Sequence, residues 1–205
     1  MARQKLGQHF LASGKILERI ARAACGDSVD FVLEIGPGRG ALTERLLERA
    51  ERVAAIELDS ELAALLRKRW GEDSRFQLIH ANALDADWTA WGQGVLAGNL
   101  PYYVASALIT SYAMRPGQLR LGVFLIQKEV AERITSQPGH REYGYLSVVC
   151  QFFAKVEMLF SVPPGAFQPP PKVDSAVIRL TPRAELPEVD RARFTRFVGV
   201  CFQHK

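Results

Sequence analysis

The feature that most constrains this sequence is a glycine-rich segment, Gly36-Pro37-Gly38-Arg39-Gly40, between an apolar run at residues 31–35 and a segment with helical apolar spacing. This order predicts a strand, a tight turn and a helix, because glycine lets the backbone reverse sharply and lets a ligand lie directly against it. A second apolar run, residues 53–56, ends in Glu57. An acid there, about 20 residues after the first glycine, suits the hydroxyls of a ribose. The first half of the chain therefore predicts a nucleoside-cofactor site.

The glycines alone leave the identity of the cofactor open. Gly36, Gly38 and Ala41 satisfy the dinucleotide pattern in its Gly/Ala form. Gly36, Gly38 and Gly40, with Glu34 two places before them, fit the S-adenosylmethionine pattern as well. A tight turn without a ligand is the third alternative, since short glycine motifs also occur by chance. The choice depends on residues further along the chain.

Length and composition bound the architecture. With 205 residues, of which 48% are hydrophobic, the chain predicts one domain with a short appendage. The net charge of +4 permits an anionic partner without requiring one. Cys25, Cys150 and Cys201 have no metal-ligand spacing, which indicates reduced core thiols and no metal site. The sequence shows no membrane-length apolar run and no apolar signal segment. Reduced thiols predict a cytoplasmic protein, and we expect a monomer.

Strand and helix patterns alternate along the chain, which predicts an α/β fold with a doubly wound sheet. Ser13 is a candidate cap for the first helix. Further strands are predicted at residues 76–80, 95–98, 121–126, 156–162 and 176–180, and further helices at residues 60–70, 104–114 and 143–153, with a short one that ends at residue 134. Two strands joined by the proline-rich residues 163–172 predict an antiparallel hairpin at the sheet edge, where proline is tolerated.

Asn82 and Ala83 come directly after the predicted strand at residues 76–80. In a doubly wound sheet, ligands bind at the carboxyl ends of the strands. Asn82 is therefore placed to read the edge of an adenine. An asparagine that only forms a turn is the alternative.

Asn99-Leu100-Pro101-Tyr102, at the end of the next predicted strand, is the most informative segment of the chain. Proline fixes this turn and disfavours the helical conformation at Leu100. Such a rigid turn can aim one side-chain oxygen and one backbone carbonyl at a single amine, and Tyr102 can offer its face to a flat base. An asparagine that caps the following helix is the alternative.

Phe167 is an unusual apolar residue within the proline-rich loop. It is either a lid over the core or a stacking platform for a base. The residues considered alone do not distinguish these two roles.

Six segments together make the chain resemble the ribosomal RNA adenine dimethyltransferases, the KsgA type that modifies small-subunit RNA. They run in the family's order over residues 5 to about 180, and they are specific as a set rather than singly. The segments are Gly7-Gln8-His9-Phe10-Leu11, Glu34-Ile35-Gly36-Pro37-Gly38-Arg39-Gly40, Glu57-Leu58-Asp59, Asn99-Leu100-Pro101-Tyr102, Gln127-Lys128-Glu129-Val130 and Phe167-Gln168-Pro169-Pro170-Pro171-Lys172-Val173-Asp174-Ser175.

The resemblance implies a Rossmann-like class I S-adenosylmethionine-dependent methyltransferase sheet with a C-terminal antiparallel hairpin. It implies S-adenosylmethionine as methyl donor and N6 of two adjacent adenines near the 3′ end of small-subunit ribosomal RNA as acceptors, within the pre-30S particle. The implied catalytic residues are Asn99, Leu100, Pro101, Tyr102 and Phe167. The implied cofactor-binding residues are Gln8, His9, Leu11, Gly36, Gly38, Glu57, Leu58, Asn82, Ala83 and Asn99.

The sequence departs from the family pattern in two ways. The family commonly has aspartate at the place of Asn82 and asparagine at the place of His9, so cofactor binding is expected to be weaker; Asp85 is a candidate substitute. The family also continues past residue 205 with a basic tract and a small helical domain. We therefore expect a methyltransferase domain at residues 1–182, and a linker with the first helix of a truncated helical domain at residues 183–205.

Three other functions stay open on the sequence. A sister family methylates an adenine of large-subunit RNA and shares most of these segments. A non-catalytic assembly or transcription factor on the same fold is a second alternative, although an intact Asn99-Leu100-Pro101-Tyr102 argues against lost chemistry. A nicotinamide oxidoreductase is the third, and it leaves that turn unexplained.

Overall fold

The computed structural model describes residues 9–88, 93–115 and 119–203 and confirms the α/β fold. Strands β1 to β9 are Phe10–Leu11, Val29–Ile35, Ala50–Glu57, Phe76–His80, Gly94–Asn99, Leu119–Gln127, Ala154–Val162, Phe167–Gln168 and Ser175–Pro182. Helices α1 to α7 are Gly14–Cys25, Ala41–Leu47, Ser60–Trp70, Ala105–Ala113, Lys128–Thr135, Tyr145–Phe153 and Arg191–Cys201. Within the described residues, no helix has the length and apolar character needed to cross a membrane.

Seven strands form one sheet in the order β4-β3-β2-β5-β6-β9-β7. The first five are parallel, whereas β9 runs antiparallel between β6 and β7. The predicted hairpin at the sheet edge is therefore confirmed. The order of the chain reverses between β2 and β5, and ligands of doubly wound sheets bind at such a switch point, outside the carboxyl ends of the strands. The glycine turn, residues 36–40, follows β2, and the Asn99 turn, residues 99–102, follows β5.

The core lies on both faces of this sheet, because helices cover both. Leu33 and Leu96 belong to one cluster of buried residues, and Val32 and Val95, their neighbours along the strands, belong to the other. Strands buried on both faces read as continuous apolar runs rather than as an alternation, which is the pattern of these segments. The central strands are therefore rigid supports for the turns at their ends.

A separate two-stranded ribbon joins the start of the described chain to the proline-rich loop. In it, β1 pairs antiparallel with β8, so that Leu11 lies opposite Phe167. The N–H groups of Ala12 and Ser13 also donate to the carbonyl oxygen of Ala166, at 2.8 and 3.2 Å. This pairing was not predicted from the sequence, and it brings the opening segment to the carboxyl edge of the large sheet.

Two local predictions were wrong in part. Helix α1 begins directly after Ser13 as predicted, and Ser13 is its N-cap residue, but the Ser13 side chain makes no capping hydrogen bond. Cys25 and Cys150 are buried, whereas Cys201 is exposed on α7 and is not a core thiol. This helix nevertheless contacts the domain, because Phe194 packs against Phe152 with ring centroids 4.2 Å apart.

Candidate active site

A cavity of about 490 Å³ opens at the carboxyl ends of β2, β3 and β5. Its walls come from the segments that the sequence singled out: the ribbon strand β1, the glycine turn, the end of β3, the residues after β4 and the Asn99 turn. Predicted site residues that line it are His9, Leu11, Gly36, Gly38, Glu57, Leu58, Asn82, Ala83, Asn99, Leu100, Pro101 and Tyr102. One cavity therefore collects residues from five separate segments of the chain.

The glycine turn brings bare backbone to the cavity wall. Gly38 has φ +59, a left-handed conformation that favours glycine, and a Cβ added there would lie 3.1 Å from the ring of Phe10. A Cβ added at Gly36 would lie 3.8 Å from the carbonyl oxygen of Asn99. The turn is thus bounded by β1 on one side and by the Asn99 turn on the other. Side chains at these glycines would fill the space in which a ligand can lie against the backbone.

Glu57 fixes the shape of this turn. One carboxylate oxygen, Oε2, accepts from the N–H of Gly38 at 3.0 Å, and the other, Oε1, accepts from the N–H of Asp59 at 2.9 Å. The side chain is only 6% exposed, so both bonds lie in a site largely shielded from water. Each carboxylate oxygen has a second lone pair that can accept a ligand hydroxyl. This geometry suits a ribose, whose two hydroxyls can donate to the two oxygens.

Asn82 is held in one orientation by its neighbours. Its Nδ2 donates to Oδ2 of Asp85 at 2.7 Å, and its Oδ1 accepts from the N–H of Leu84 at 3.2 Å. The indole N–H of Trp88, which is buried, donates to the carbonyl oxygen of Ala83 at 2.9 Å and helps to hold the same segment. Asp85 does not replace Asn82 in the cavity wall; it orients the amide so that Oδ1 remains the acceptor.

Glu34 is a buried carboxyl group in the cavity wall, 1% exposed. Burial raises the pKa of Glu34 to about 8, and the charge of nearby Glu57 acts in the same direction, while a hydrogen bond from Thr43 opposes both. Thr43 Oγ1 donates to Glu34 Oε2 at 2.6 Å. This bond ties α2 to the end of β2, the two elements between which the glycine turn lies.

The Asn99 turn lines the cavity and carries two acceptors without a donor among the described residues. Asn99 Nδ2 donates to the carbonyl oxygen of His9 at 3.3 Å, and the N–H of Leu100 donates to Leu125 on β6 at 3.0 Å. In the described part of the chain, neither Oδ1 of Asn99 nor the carbonyl oxygen of Leu100 accepts a hydrogen bond. The prediction of a rigid turn with two acceptors is consistent with this arrangement. The alternative role of Asn99 as a helix cap is wrong, because the N-cap of α4 is Val104 and no side chain caps this helix.

Tyr102 is held on two sides. Its hydroxyl lies 2.9 Å from Oγ of Ser175, and its ring stacks on that of His9 with centroids 6.0 Å apart and an angle of 29°. Burial raises the pKa of Tyr102. His9 Nδ1–H donates to the carbonyl oxygen of Pro169 at 2.8 Å. The ring of His9 therefore bridges the proline-rich loop and the Asn99 turn, although the residue also lines the cavity as predicted.

Phe167 is the predicted site residue that the structure does not bring to the cavity. It is 3% exposed and belongs to the same buried cluster as Leu11 and Ala166. This placement matches a lid over the core, and a stacking role would require the ring to leave the core. That role stays a prediction. Gln8 lies outside the described residues.

Several cavity residues were not predicted as site residues, among them Phe10, Glu34, Arg39 and Asp59. Asp59 could have been found, because an aspartate directly before a helix is a typical cap; its Oδ1 accepts from the N–H groups of Glu61 and Leu62. Arg39 stacks on the ring of Phe10, with the guanidinium carbon 4.4 Å from its centroid. No local pattern announces that contact, since the two residues meet only through the ribbon.

The sheet order, the glycine turn and the acid at the end of β3 define the class of this protein, which has the fold of the class I, Rossmann-like S-adenosylmethionine-dependent methyltransferases. The chain belongs to the ribosomal RNA adenine dimethylase family, whose model matches residues 1–205. Membership confirms the resemblance and rules out the interpretation as a nicotinamide oxidoreductase.

Individual relatives agree with this family. Ribosomal RNA small subunit methyltransferase A of Acidobacterium capsulatum is 42% identical over 207 residues, which cover 98% of this chain and 73% of the relative. The crystal structure of a dimethyladenosine transferase from Plasmodium falciparum has a TM-score of 0.85 at 30% identity, over 96% of this chain and 72% of that one. The crystal structure of the 23S rRNA methyltransferase ErmE has a TM-score of 0.78 at 30% identity, over 94% and 78%.

Proposed function

We propose that this protein transfers methyl groups from S-adenosylmethionine to N6 of two adjacent adenines near the 3′ end of small-subunit ribosomal RNA, in the assembling particle in the cytoplasm. The observation that carries the proposal is the Asn99 turn. It offers two acceptors that have no hydrogen-bond donor among the described residues, beside a cavity that fits a nucleoside cofactor. An exocyclic amine has two hydrogens, and these two acceptors match them.

The cavity fits the methyl donor in shape and in charge. Gly36 and Gly38 leave space that a Cβ would fill, and Glu57 has two lone pairs free for the ribose hydroxyls. Asn82 Oδ1 can accept from an adenine amine, because Asp85 holds the amide in that orientation. S-Adenosylmethionine, when bound, supplies an electrophilic methyl group on a cationic sulfur. The carboxylates of Glu57 and Asp59 outnumber the one cation among the described lining residues, Arg39, so the wall favours a cationic ligand over a neutral one.

The residues of the Asn99 turn activate the acceptor by position. The N6 lone pair of adenine is delocalised into the ring, which makes it a poor nucleophile. Hydrogen bonds from the amine to Asn99 Oδ1 and to the Leu100 carbonyl would draw this lone pair out of the ring plane and stabilise the positive charge that develops on nitrogen. Tyr102 would stack on the base and align it for in-line attack. A strong general base is not needed, because the methylated ammonium is itself acidic.

The small subunit is preferred over the large subunit as the source of RNA for two reasons. Curated relatives at about 42% identity are named small-subunit methyltransferases. The Gln127-Lys128-Glu129-Val130 segment and the Phe167–Ser175 loop also favour the small-subunit group. Methylation of each purified RNA, followed by mapping of the modified adenines, separates the two.

Asn99→Ala is the variant that tests the proposal. The contact to the amine strengthens as charge grows on nitrogen, so its loss raises the barrier more than it weakens binding. We expect the single-turnover rate, at saturating donor and RNA, to fall about 10²–10³-fold. RNA affinity should hold, because phosphate contacts dominate it.

Gln151→Ala is the matched control for this variant. Gln151 also has a partly buried amide, but its bonds go to the carbonyls of Ile134 and Ser136, away from the cavity. Its loss should leave the single-turnover rate unchanged. A near-normal rate for Asn99→Ala would contradict the proposed role of the turn.

A further inference from the structure

We infer that Ser175 is a positioning residue for the target base, because it holds the ring of Tyr102 in the plane that stacking requires. The inference rests on the proposed function of the same site. Ser175 Oγ and the Tyr102 hydroxyl share a hydrogen bond of 2.9 Å. Ser175 is fully buried, while Tyr102 is half-buried and lines the cavity. The bond therefore links a fixed point in the core to a ring that faces the ligand.

The fixed point is well anchored. Ser175 is the first residue of β9, and it is paired on both sides, with Gln127 of β6 and with Val162 of β7. The residue before it, Asp174, accepts a hydrogen bond from the N–H of Lys128 at 3.0 Å. Two segments thus meet beside Tyr102, residues 127–130 and residues 173–175. Neither segment has another role in the site described above. Their shared role is to set the position of the Ser175 hydroxyl.

The ring of Tyr102 has few other ways to move. Pro101 restrains the backbone before it, and His9 covers one ring face. The hydroxyl bond to Ser175 opposes rotation of the side chain away from the cavity. A stacked base follows the plane of the ring that it contacts, and methyl transfer needs the amine in line with the methyl group. A ring without this bond would still be aromatic, but it would spend less time in the productive orientation.

A double-mutant cycle tests this inference with Ser175→Ala, Tyr102→Phe and the double variant. Each single variant removes the same neutral hydrogen bond, so each should slow single-turnover methylation about tenfold, with the affinity for S-adenosylmethionine unchanged. The double variant should also be about tenfold slower, not about a hundredfold, because the second change has no bond left to remove.

Ser147→Ala is the matched control. Ser147 is equally buried, and its hydroxyl also bonds within the protein, to the carbonyl oxygen of Arg133 and the N–H of Gly144, but it lies on α6. The folded Ser147→Ala protein should methylate at the wild-type rate. If Ser175→Ala fails to fold, Tyr102→Phe decides, since it breaks the bond from the half-buried side.

The outcomes separate the inference from the function. A wild-type rate for Ser175→Ala or for Tyr102→Phe would overturn the inference alone. So would a double variant whose loss is the product of the two single losses. Absence of methyl transfer by the wild-type chain to any small-subunit RNA adenine would overturn the function and the inference together.

Discussion

The two carboxylate oxygens of Glu57 hold the glycine turn and, in the proposed complex, also accept the ribose hydroxyls. A Glu57 variant should therefore lose both functions. Glu57→Ala removes the acceptors for both ribose hydroxyls and also releases the N–H groups of Gly38 and Asp59. We expect calorimetry to show weaker binding of S-adenosylmethionine by roughly 1.5–3 kcal/mol, the range for hydrogen bonds to a charged group. Glu51→Ala, an exposed change at the other end of β3, should leave affinity unaltered. Unchanged affinity for Glu57→Ala would remove the ribose assignment.

Glu34 should make stability depend on pH in an unusual direction. Its folded pKa of about 8 lies above the ordinary value of 4.5 because burial favours the neutral acid. Between these values the folded chain holds a proton that the unfolded chain has lost, so a rise in pH favours unfolding. The contribution of Glu34 to stability is therefore fully present below the unfolded pKa and is lost as the pH rises through the folded one.

Glu34→Gln isolates this contribution, because glutamine keeps the shape and the acceptor for Thr43 but does not titrate. The free energy of unfolding of the variant, relative to wild type, should increase between about pH 5 and pH 8, by at most about 1.4 kcal/mol per pH unit. Urea denaturation at several pH values measures it, with Glu51→Gln as the exposed control. Parallel curves for Glu34→Gln and wild type would contradict a raised pKa.

Residue types with a strict local requirement were predictable from the sequence, and residues whose partners lie elsewhere were not. The three glycines, Glu57 and the Asn99 turn were found because each chemistry needs its residue at one place. The orientation of Asn82 depends on its hydrogen bond to Asp85, so Asn82→Asp would place two carboxylates in contact. The sequence could not choose between the two roles of Phe167, since burial is not a local property.

At the scale of elements, the turn before α2 depends on the helix that follows β3. Gly40 has φ +82, and a Cβ there would lie 2.3 Å from the ring of Trp70 at the end of α3. Gly139 has φ +92, but a Cβ there would meet nothing within 4 Å. Alanine variants at Gly139 and Gly40 therefore separate the cost of backbone strain from the cost of crowding against Trp70.

We expect Gly139→Ala to cost about 1–2 kcal/mol, the price of a left-handed conformation. Gly40→Ala should cost about 1–3 kcal/mol more, because Trp70 must also move from a packed position. Urea denaturation of both variants gives the two values. Equal losses of stability in the two variants would show that Trp70 and α3 move aside at no cost in free energy.

The bounds of elements were predictable where strong end signals exist. The predicted helix at residues 60–70 and strand at residues 76–80 match Ser60–Trp70 and Phe76–His80, because Asp59 caps the helix and Gly71 ends it. The start of α6 at Tyr145 was predicted two residues early, since no capping side chain marks it other than Ser147 within the helix. The β1–β8 ribbon left no local pattern, because its strands are two residues long and far apart in sequence.

The net charge of +4 is modest for a protein that binds a polyanion. The relatives extend beyond the region that matches this chain, which covers 73% of the Acidobacterium capsulatum protein. We expect residues 1–205 on their own to bind small-subunit RNA more weakly than the whole relative, with a shallower slope of log affinity against log salt, if the unmatched part of the relative contacts further phosphates. Filter binding over a range of salt concentrations measures both slopes. Equal slopes would mean that the matched region makes all of the phosphate contacts.

The ribbon has a consequence for the order in which the cavity can be completed during synthesis. His9 and Pro169, which bond across it, are 160 positions apart. The opening segment leaves the ribosome first, and its partners in the proline-rich loop leave only after nearly the whole domain has been made. Until then the glycine turn, Glu57 and the Asn99 turn can assemble on the parallel strands, but β8 is absent and β1 has no partner to hold it over them. In an unfinished chain, therefore, the turns at the ends of the parallel strands can form, but β1 is not yet fixed beside them.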